Sequence, residues 1–211
     1  YGFKEFTNAF VIAGNVMPTL APEHVLKGLD VDAVLVGEGE TAFVNLANGI
    51  SQGKDPLKTE NLAFLKDNIL VKNPRAPLFP LTEIPHHDYE LFDEEHLWRP
   101  FVGSSWKTGY LELTRGCPYL CTFCATPRMN TMYKAEGRLR GRETDQFMDE
   151  VKTLKKKYGL KLFFFCDENF LSIENLDEFC EVWEEEIGDP FMIQTRIETI
   201  KLDKVKKIKK A

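Results

Sequence analysis

Tyr110-Leu-Glu-Leu-Thr-Arg-Gly-Cys-Pro-Tyr-Leu-Cys-Thr-Phe-Cys124 is the stretch whose reading decides the fold. Tyr110 to Thr114 alternate as a strand does and run straight into a loop that holds Cys117, Cys121 and Cys124. Those three are a C-x3-C-x2-C cluster, in a chain of five cysteines. An odd count without a signal-peptide pattern is poor ground for a disulfide framework and points to metal or redox chemistry. A cubane iron–sulfur cluster is held by thiolates, commonly four. Three cysteines this close can each take one iron corner, which leaves the fourth iron open to a substrate or cofactor. Zinc is the rival metal, but a structural zinc site wants four ligands. His86, His87 and His96 lie upstream with no spacing that completes one.

Downstream of the loop the pattern is regular. Phe147, Val151, Leu154 and Tyr158 are spaced for a helix over 143–158, and Leu162 to Cys166 read as a buried strand. Leu176, Phe179 and Val182 share a helical face over 174–186. A third strand follows at Phe191 to Thr195, and Leu202, Val205 and Ile208 begin a third helix. This β-α-β-α-β-α order, with short loops, suits a parallel barrel or open sheet. Cys166 and Cys180 are expected as small buried hydrophobes.

Upstream, Phe10-Val-Ile-Ala13 is a short buried strand, and Pro22 and Glu23 open a helix that Gly28 ends. Asp32-Ala-Val-Leu-Val36 is a second buried strand. A Gly37-Glu-Gly-Glu40 turn leads into a helix to about Ala47, which completes a parallel α/β unit. Leu62 to Val71 look like a small hairpin turning at Lys66-Asp-Asn68. Five prolines from Pro74 to Pro100 exclude a long helix there. The expected organisation is thus 1–50 as an α/β unit, 51–107 as a linker with a small hairpin, and 108–211 as a second α/β region.

Hydrophobic residues make up 43% of the 211, which excludes disorder, and no apolar run approaches the roughly 18 residues of a membrane helix. The net charge of −6 argues against nucleic acid as partner, and the C-terminal lysines read as a solvated helix face. A cytoplasmic location is expected. The starts and stops at Tyr1 and Ala211 suggest parts of two larger domains, with Tyr1 on the approach to a strand.

The cysteine motif, with Leu113-Thr-Arg-Gly116 before it and Pro118 within it, resembles the signature of radical S-adenosylmethionine (radical SAM) enzymes. The resemblance implies a partial (β/α)6 barrel, of which 108–211 would be the N-terminal half. It also implies a 4Fe–4S cluster on Cys117, Cys121 and Cys124, and SAM chelated to the open iron. SAM would be cleaved to a 5′-deoxyadenosyl radical, and an electron donor such as flavodoxin or ferredoxin would serve a reaction on a small-molecule substrate. Phe123 would lie near adenine, or else pack on the barrel rim. Asp167, Glu168 and Asn169 resemble a SAM-binding strand end, or else cap the next helix. Gln194 and Arg196 are further candidates.

A second resemblance covers residues 10–50. Val11-Ile-Ala-Gly14, Pro18 to Glu23 and Asp32 to Glu40 look like the C-terminal part of a Rossmann-like cobalamin-binding domain, which precedes the barrel in one branch of the family. It implies cobalamin contacts at Gly14, Thr19, Gly37, Glu38 and Gly39, and radical chemistry such as methyl transfer. Asn15 stands where the family has a second glycine. A radical SAM enzyme without cobalamin, and a non-catalytic metal-binding module, are the alternatives.

Overall fold

The computed structural model describes residues 3–133 and 139–211, so Tyr1 lies outside the described residues. The chain has an α/β fold in two compact units. The first comprises Tyr1–Phe79 with Phe123–Met132, and the second Pro80–Thr122 with Tyr133–Ala211.

In chain order the first unit begins with β1 (Ile12–Ala13), α1 (Val16–Leu20), α2 (Pro22–Gly28), β2 (Ala33–Leu35) and α3 (Glu40–Ser51). β3 (Leu62–Lys66) and β4 (Ile69–Lys72) follow. The sheet order is β1-β2-β3-β4, parallel between β1 and β2 and antiparallel thereafter. β2 explains its own sequence. Its Ala33 and Leu35 meet Ala42 and Leu46 of α3, while Val34 joins Val25 and Leu26 of α2 on the opposite face. A strand covered on both faces must be apolar throughout, and Ala-Val-Leu is. The hairpin forms where the sequence places it, turning at Asp67 and Asn68, both with positive φ. β3 then pairs with β2, so the hairpin is part of the sheet rather than of a linker.

β5 (Trp98–Phe101), β6 (Ser104–Leu111), β7 (Thr114–Arg115), α4 (Thr126–Met132), β8 (Arg140–Gly141) and α5 (Thr144–Tyr158) come next. They are followed by β9 (Leu162–Phe165), α6 (Leu176–Glu186), β10 (Phe191–Met192) and α7 (Leu202–Lys210). α4 groups with the first unit and the rest with the second. The second sheet has the order β10-β9-β6-β5, in which β6, β9 and β10 are parallel and β5 is an antiparallel edge. β7 and β8 form a separate antiparallel pair.

Three expectations shift. Residues 98–101 are strand; Pro100 is tolerated because β5 is an edge. The strand expected at Tyr110–Thr114 breaks after Leu111, because the N–H groups of Leu113 and Thr114 donate to the Asp167 carboxylate instead of a ladder partner. The third strand stops at Met192, and beyond it the Thr195 hydroxyl and Arg196 N–H donate to Asn169.

The core of the second unit is aromatic. Phe165 is fully buried, with the rings of Phe147, Phe170, Phe179, Trp183 and Phe191 between 5.0 and 5.7 Å from its own. The buried Glu150 accepts from Arg142 and from both the backbone N–H and Nδ1 of His87, one of the histidines upstream of the cysteine loop. These contacts and the Arg142 charge hold the Glu150 carboxyl down at about 2 against its burial. No helix among the described residues is long and apolar enough to cross a membrane.

Phe165→Ala should remove ring contacts on every side and cost about 3–5 kcal/mol of stability. Urea unfolding followed by circular dichroism reads this directly, and a loss below about 1 kcal/mol would contradict the packing described.

Candidate functional site

The cysteine loop leaves β7 at the end of the parallel strands. Gly116 takes φ 96°, a left-handed conformation that glycine adopts without strain. None of the five cysteines is in a disulfide. Cys117 is buried, Cys121 half-buried and Cys124 exposed. Cys117 and Cys121 fall in the second unit. Cys124 falls in the first, where its thiol lies 3.5 Å from Thr126 Oγ1. Among the described residues no three His, Cys, Asp or Glu side chains gather around a single-ion site. A cubane spreads its thiolates over separate iron corners, a geometry unlike that of a single-ion site. The chemistry of the donor set, three unbonded thiols in one short loop, fits an iron–sulfur cluster.

The loop is anchored by the tripeptide after β9. Asp167 is fully buried; its Oδ1 accepts from Thr114 N at 2.6 Å and Thr114 Oγ1 at 2.5 Å, and its Oδ2 from Leu113 N at 3.3 Å. Burial pushes its pKa up to about 6 against these hydrogen bonds, and Glu112 adds to the rise. Glu168 accepts from Gly116 N at 3.0 Å, and desolvation raises its carboxyl as well. Asn169, also buried, accepts from Thr195 Oγ1 and Arg196 N and donates to Ser172 Oγ. The polar atoms of Asp167 and Asn169 are therefore engaged within the fold. Asn169 is the N-cap residue of the 3-10 turn at Phe170–Ser172, without a side-chain capping bond, and the N-cap of α6 is Asn175.

Arg196 reaches the loop itself. One guanidinium nitrogen donates to Cys121 Sγ, a second to Glu198 at 2.5 Å, and the group lies 4.5 Å from the Tyr119 ring centroid. Sequence reasoning named Arg196 but missed Tyr119; an aromatic between the first two cysteines was the available signal. The side chains of Gln194 and Phe123 are exposed, the latter at 92%. Of the bystander cysteines, Cys180 is buried as expected, with its thiol pushed up to about 11, but Cys166 is exposed. Cys166 stands one residue past the end of β9, outside the covered part of the strand.

In the first unit, Thr19 Oγ1 donates to Asn15 O at 2.7 Å and accepts from Gly37 N at 3.0 Å, tying α1 to the turn after β2. Gly37 has φ 94°. Glu38 accepts from Phe79 N through Oε2 and from Asn61 Nδ2 through its carbonyl. A Cβ added at Gly14 or Gly39 would meet only Leu35, at 3.9 and 3.8 Å, so internal packing does not demand glycine there. Thr19 also lines a cleft of about 380 Å³ with Asn61, Lys72, Arg75 and Arg128.

Residues 111–211 match the model of the radical SAM superfamily. That stretch, just under half of the chain, is a radical SAM region. Among curated relatives, an uncharacterized methyltransferase of Pyrococcus horikoshii is 30% identical over 166 residues, 77% of this chain and 34% of the relative. An anaerobic magnesium-protoporphyrin IX monomethyl ester cyclase of Synechocystis is 27% identical across 95% of this chain and 39% of its own. This chain thus spans between a third and two-fifths of those two curated relatives. Of solved structures, the radical SAM methyltransferase TsrM from Kitasatospora setae, with cobalamin and a [4Fe–4S] cluster bound, superposes with a TM-score of 0.60 at 22% identity. That match covers 86% of this chain and 35% of TsrM. The cobalamin-dependent radical SAM enzyme OxsB gives a TM-score of 0.63 at 19% identity, over 98% of this chain and 29% of OxsB. At these identities the likeness is one of fold.

A carboxyl whose pKa is higher in the folded than in the unfolded chain binds its extra proton in the fold. For Asp167, raised from 3.8 to about 6, that contribution is complete below about pH 4 and is lost as pH rises through about 6. The Asp167→Asn variant lacks this titration. Its unfolding free energy should gain roughly 3 kcal/mol on wild type between about pH 4 and about pH 7. Urea denaturation at both ends of the range measures it; a difference independent of pH would rule the assignment out.

Proposed function

We propose that this chain is part of a radical SAM enzyme in which Cys117, Cys121 and Cys124 hold a 4Fe–4S cluster. The observation that carries the proposal is the anchoring of the C-x3-C-x2-C loop. Thr114 is held by Asp167, Gly116 by Glu168 and Cys121 by Arg196, so several residues of the second unit anchor the part of the loop that carries Cys117 and Cys121. The cluster, when bound and reduced, supplies the electron that cleaves SAM to methionine and a 5′-deoxyadenosyl radical, which abstracts hydrogen from substrate.

The chain's own part is to bind and orient. Phe123, Glu168 and Gln194 are the candidate SAM contacts with exposed side chains. Asp167, Asn169 and Arg196 belong to the same constellation and fix the strand ends that surround it. The fold class that fits is a partial (β/α)6 barrel over 108–211, preceded by the rear of a Rossmann-like cobalamin-binding domain. Cobalamin contacts at Gly14, Thr19, Gly37, Glu38 and Gly39 are supported by the Thr19–Gly37 tie and by the left-handed backbone of Gly37. Methyl transfer or a related radical reaction on a small molecule is the corresponding activity. TsrM, whose structure includes tryptophan as substrate, illustrates the substrate class for a neighbour in fold. The electron would come from a donor such as flavodoxin or ferredoxin, and a cytoplasmic location suits such chemistry.

Anaerobic reconstitution with iron and sulfide, followed by reductant and SAM, should yield 5′-deoxyadenosine, and Cys121→Ala should abolish it. Undiminished product from that variant would sink the proposal. A second reading, without cobalamin, is favoured by Asn15, which occupies φ 83° beside Gly14 where a second glycine would leave backbone bare. Reconstituted protein incubated with hydroxocobalamin and desalted should retain the corrin's visible absorption bands; the cluster's broad absorbance alone would favour the second reading.

A further inference from the structure

Arg196 is fixed more completely than a substrate-facing arginine needs to be. Its backbone N–H donates to buried Asn169 at 3.1 Å, which sets where the residue leaves β10. Its guanidinium is then held on three sides. One edge donates to Cys121 Sγ, another to Glu198, and the flat face lies over Tyr119. Tyr119 and Cys121 belong to the same loop and flank Leu120. Moving the arginine would therefore move the loop's centre, and the reverse.

The contact to sulfur is chemically particular. A guanidinium stays charged at every working pH and is a directional donor. Set against a thiolate, it draws electron density from the sulfur and fixes the direction of its remaining lone pairs. Hydrogen bonds to ligand sulfurs and charge beside them are levers on the potential of an iron–sulfur centre.

We infer that Arg196 is a positioning residue for Cys121: with Tyr119 it aims the thiolate and raises the reduction potential of the cluster bound there. The inference rests on the cluster reading above and goes beyond it, since it assigns one ligand its own electrostatic partner.

The test compares wild type, Arg196→Gln and Arg196→Lys after anaerobic reconstitution, by iron content and by a redox titration followed by electron paramagnetic resonance, without SAM. Arg196→Gln should bind as much iron as wild type and show a midpoint shifted to more negative potential. Arg196→Lys, which returns the charge without the planar fork, should recover part of the shift. Should Arg196→Gln fail to load, Tyr119→Leu loosens the guanidinium without removing it and should give a smaller shift of the same sign at full iron. Full iron with an unmoved midpoint in either loaded variant overturns this inference alone. A wild type that binds no four-iron cluster overturns the functional reading and this inference with it.

Discussion

A carboxylate placed out of reach of water is costly unless donors surround it. Asp167 is such a group, and it meets the requirement with two backbone N–H groups and a hydroxyl, all from Leu113 and Thr114. The effect is to stop one strand from a neighbouring one. β6 runs in register with β9 up to Leu111, and then the side chain just past β9 takes over the hydrogen bonds that would have continued the ladder. The chain turns where the carboxylate holds it. Glu168 and Asn169 extend the arrangement, one toward Gly116 and the other toward the end of β10. Three consecutive residues thus fix three strand ends, and the cysteine loop is suspended among them.

The first unit uses neutral groups to similar effect. Thr19 offers one hydroxyl to two backbone partners and so joins the start of the chain to the turn after β2. Asn61 does the same with an amide, donating to Glu38 O and accepting from Ala76 N. Loops held by such short polar links keep a fixed backbone outline.

What was legible in the sequence was local. Helices α2, α5 and α6 were found because apolar spacing, an early acidic residue and a terminal glycine act within a few turns. β2 and β9 were found because burial on both faces leaves an unbroken apolar run. The cysteine cluster stood out by spacing alone, and its iron–sulfur chemistry is the proposal made above. What escaped depends on partners far apart in the chain. Asp167 and Thr114 are 53 residues apart, and His87 and Glu150 are 63. Nothing near Asp167 distinguishes a ligand-binding carboxylate from one that ends a strand. β5 was hidden by Pro100, whose missing N–H is harmless only at an edge, and being an edge is a property of the sheet. The short helix α4 carries too few turns to show a period.

Tyr89 has a consequence for how the second sheet can grow. Its hydroxyl donates to Tyr110 O at 2.7 Å and accepts from Tyr110 N at 3.0 Å, replacing a strand partner at that position of β6. Burial pushes the phenol up to about 12, so it keeps the proton that this double role requires. β5 pairs with Ser104 to Lys107 of β6, and the phenol occupies the strand beyond it. Another chain therefore finds no continuous row of open backbone groups along β6. β10, at the other end of the order, has a single strand neighbour among the described residues. The sheet therefore ends in two short edge strands, β5 and β10, while the stretch of β6 that β5 leaves uncovered is closed at Tyr110 by a side chain instead of a strand.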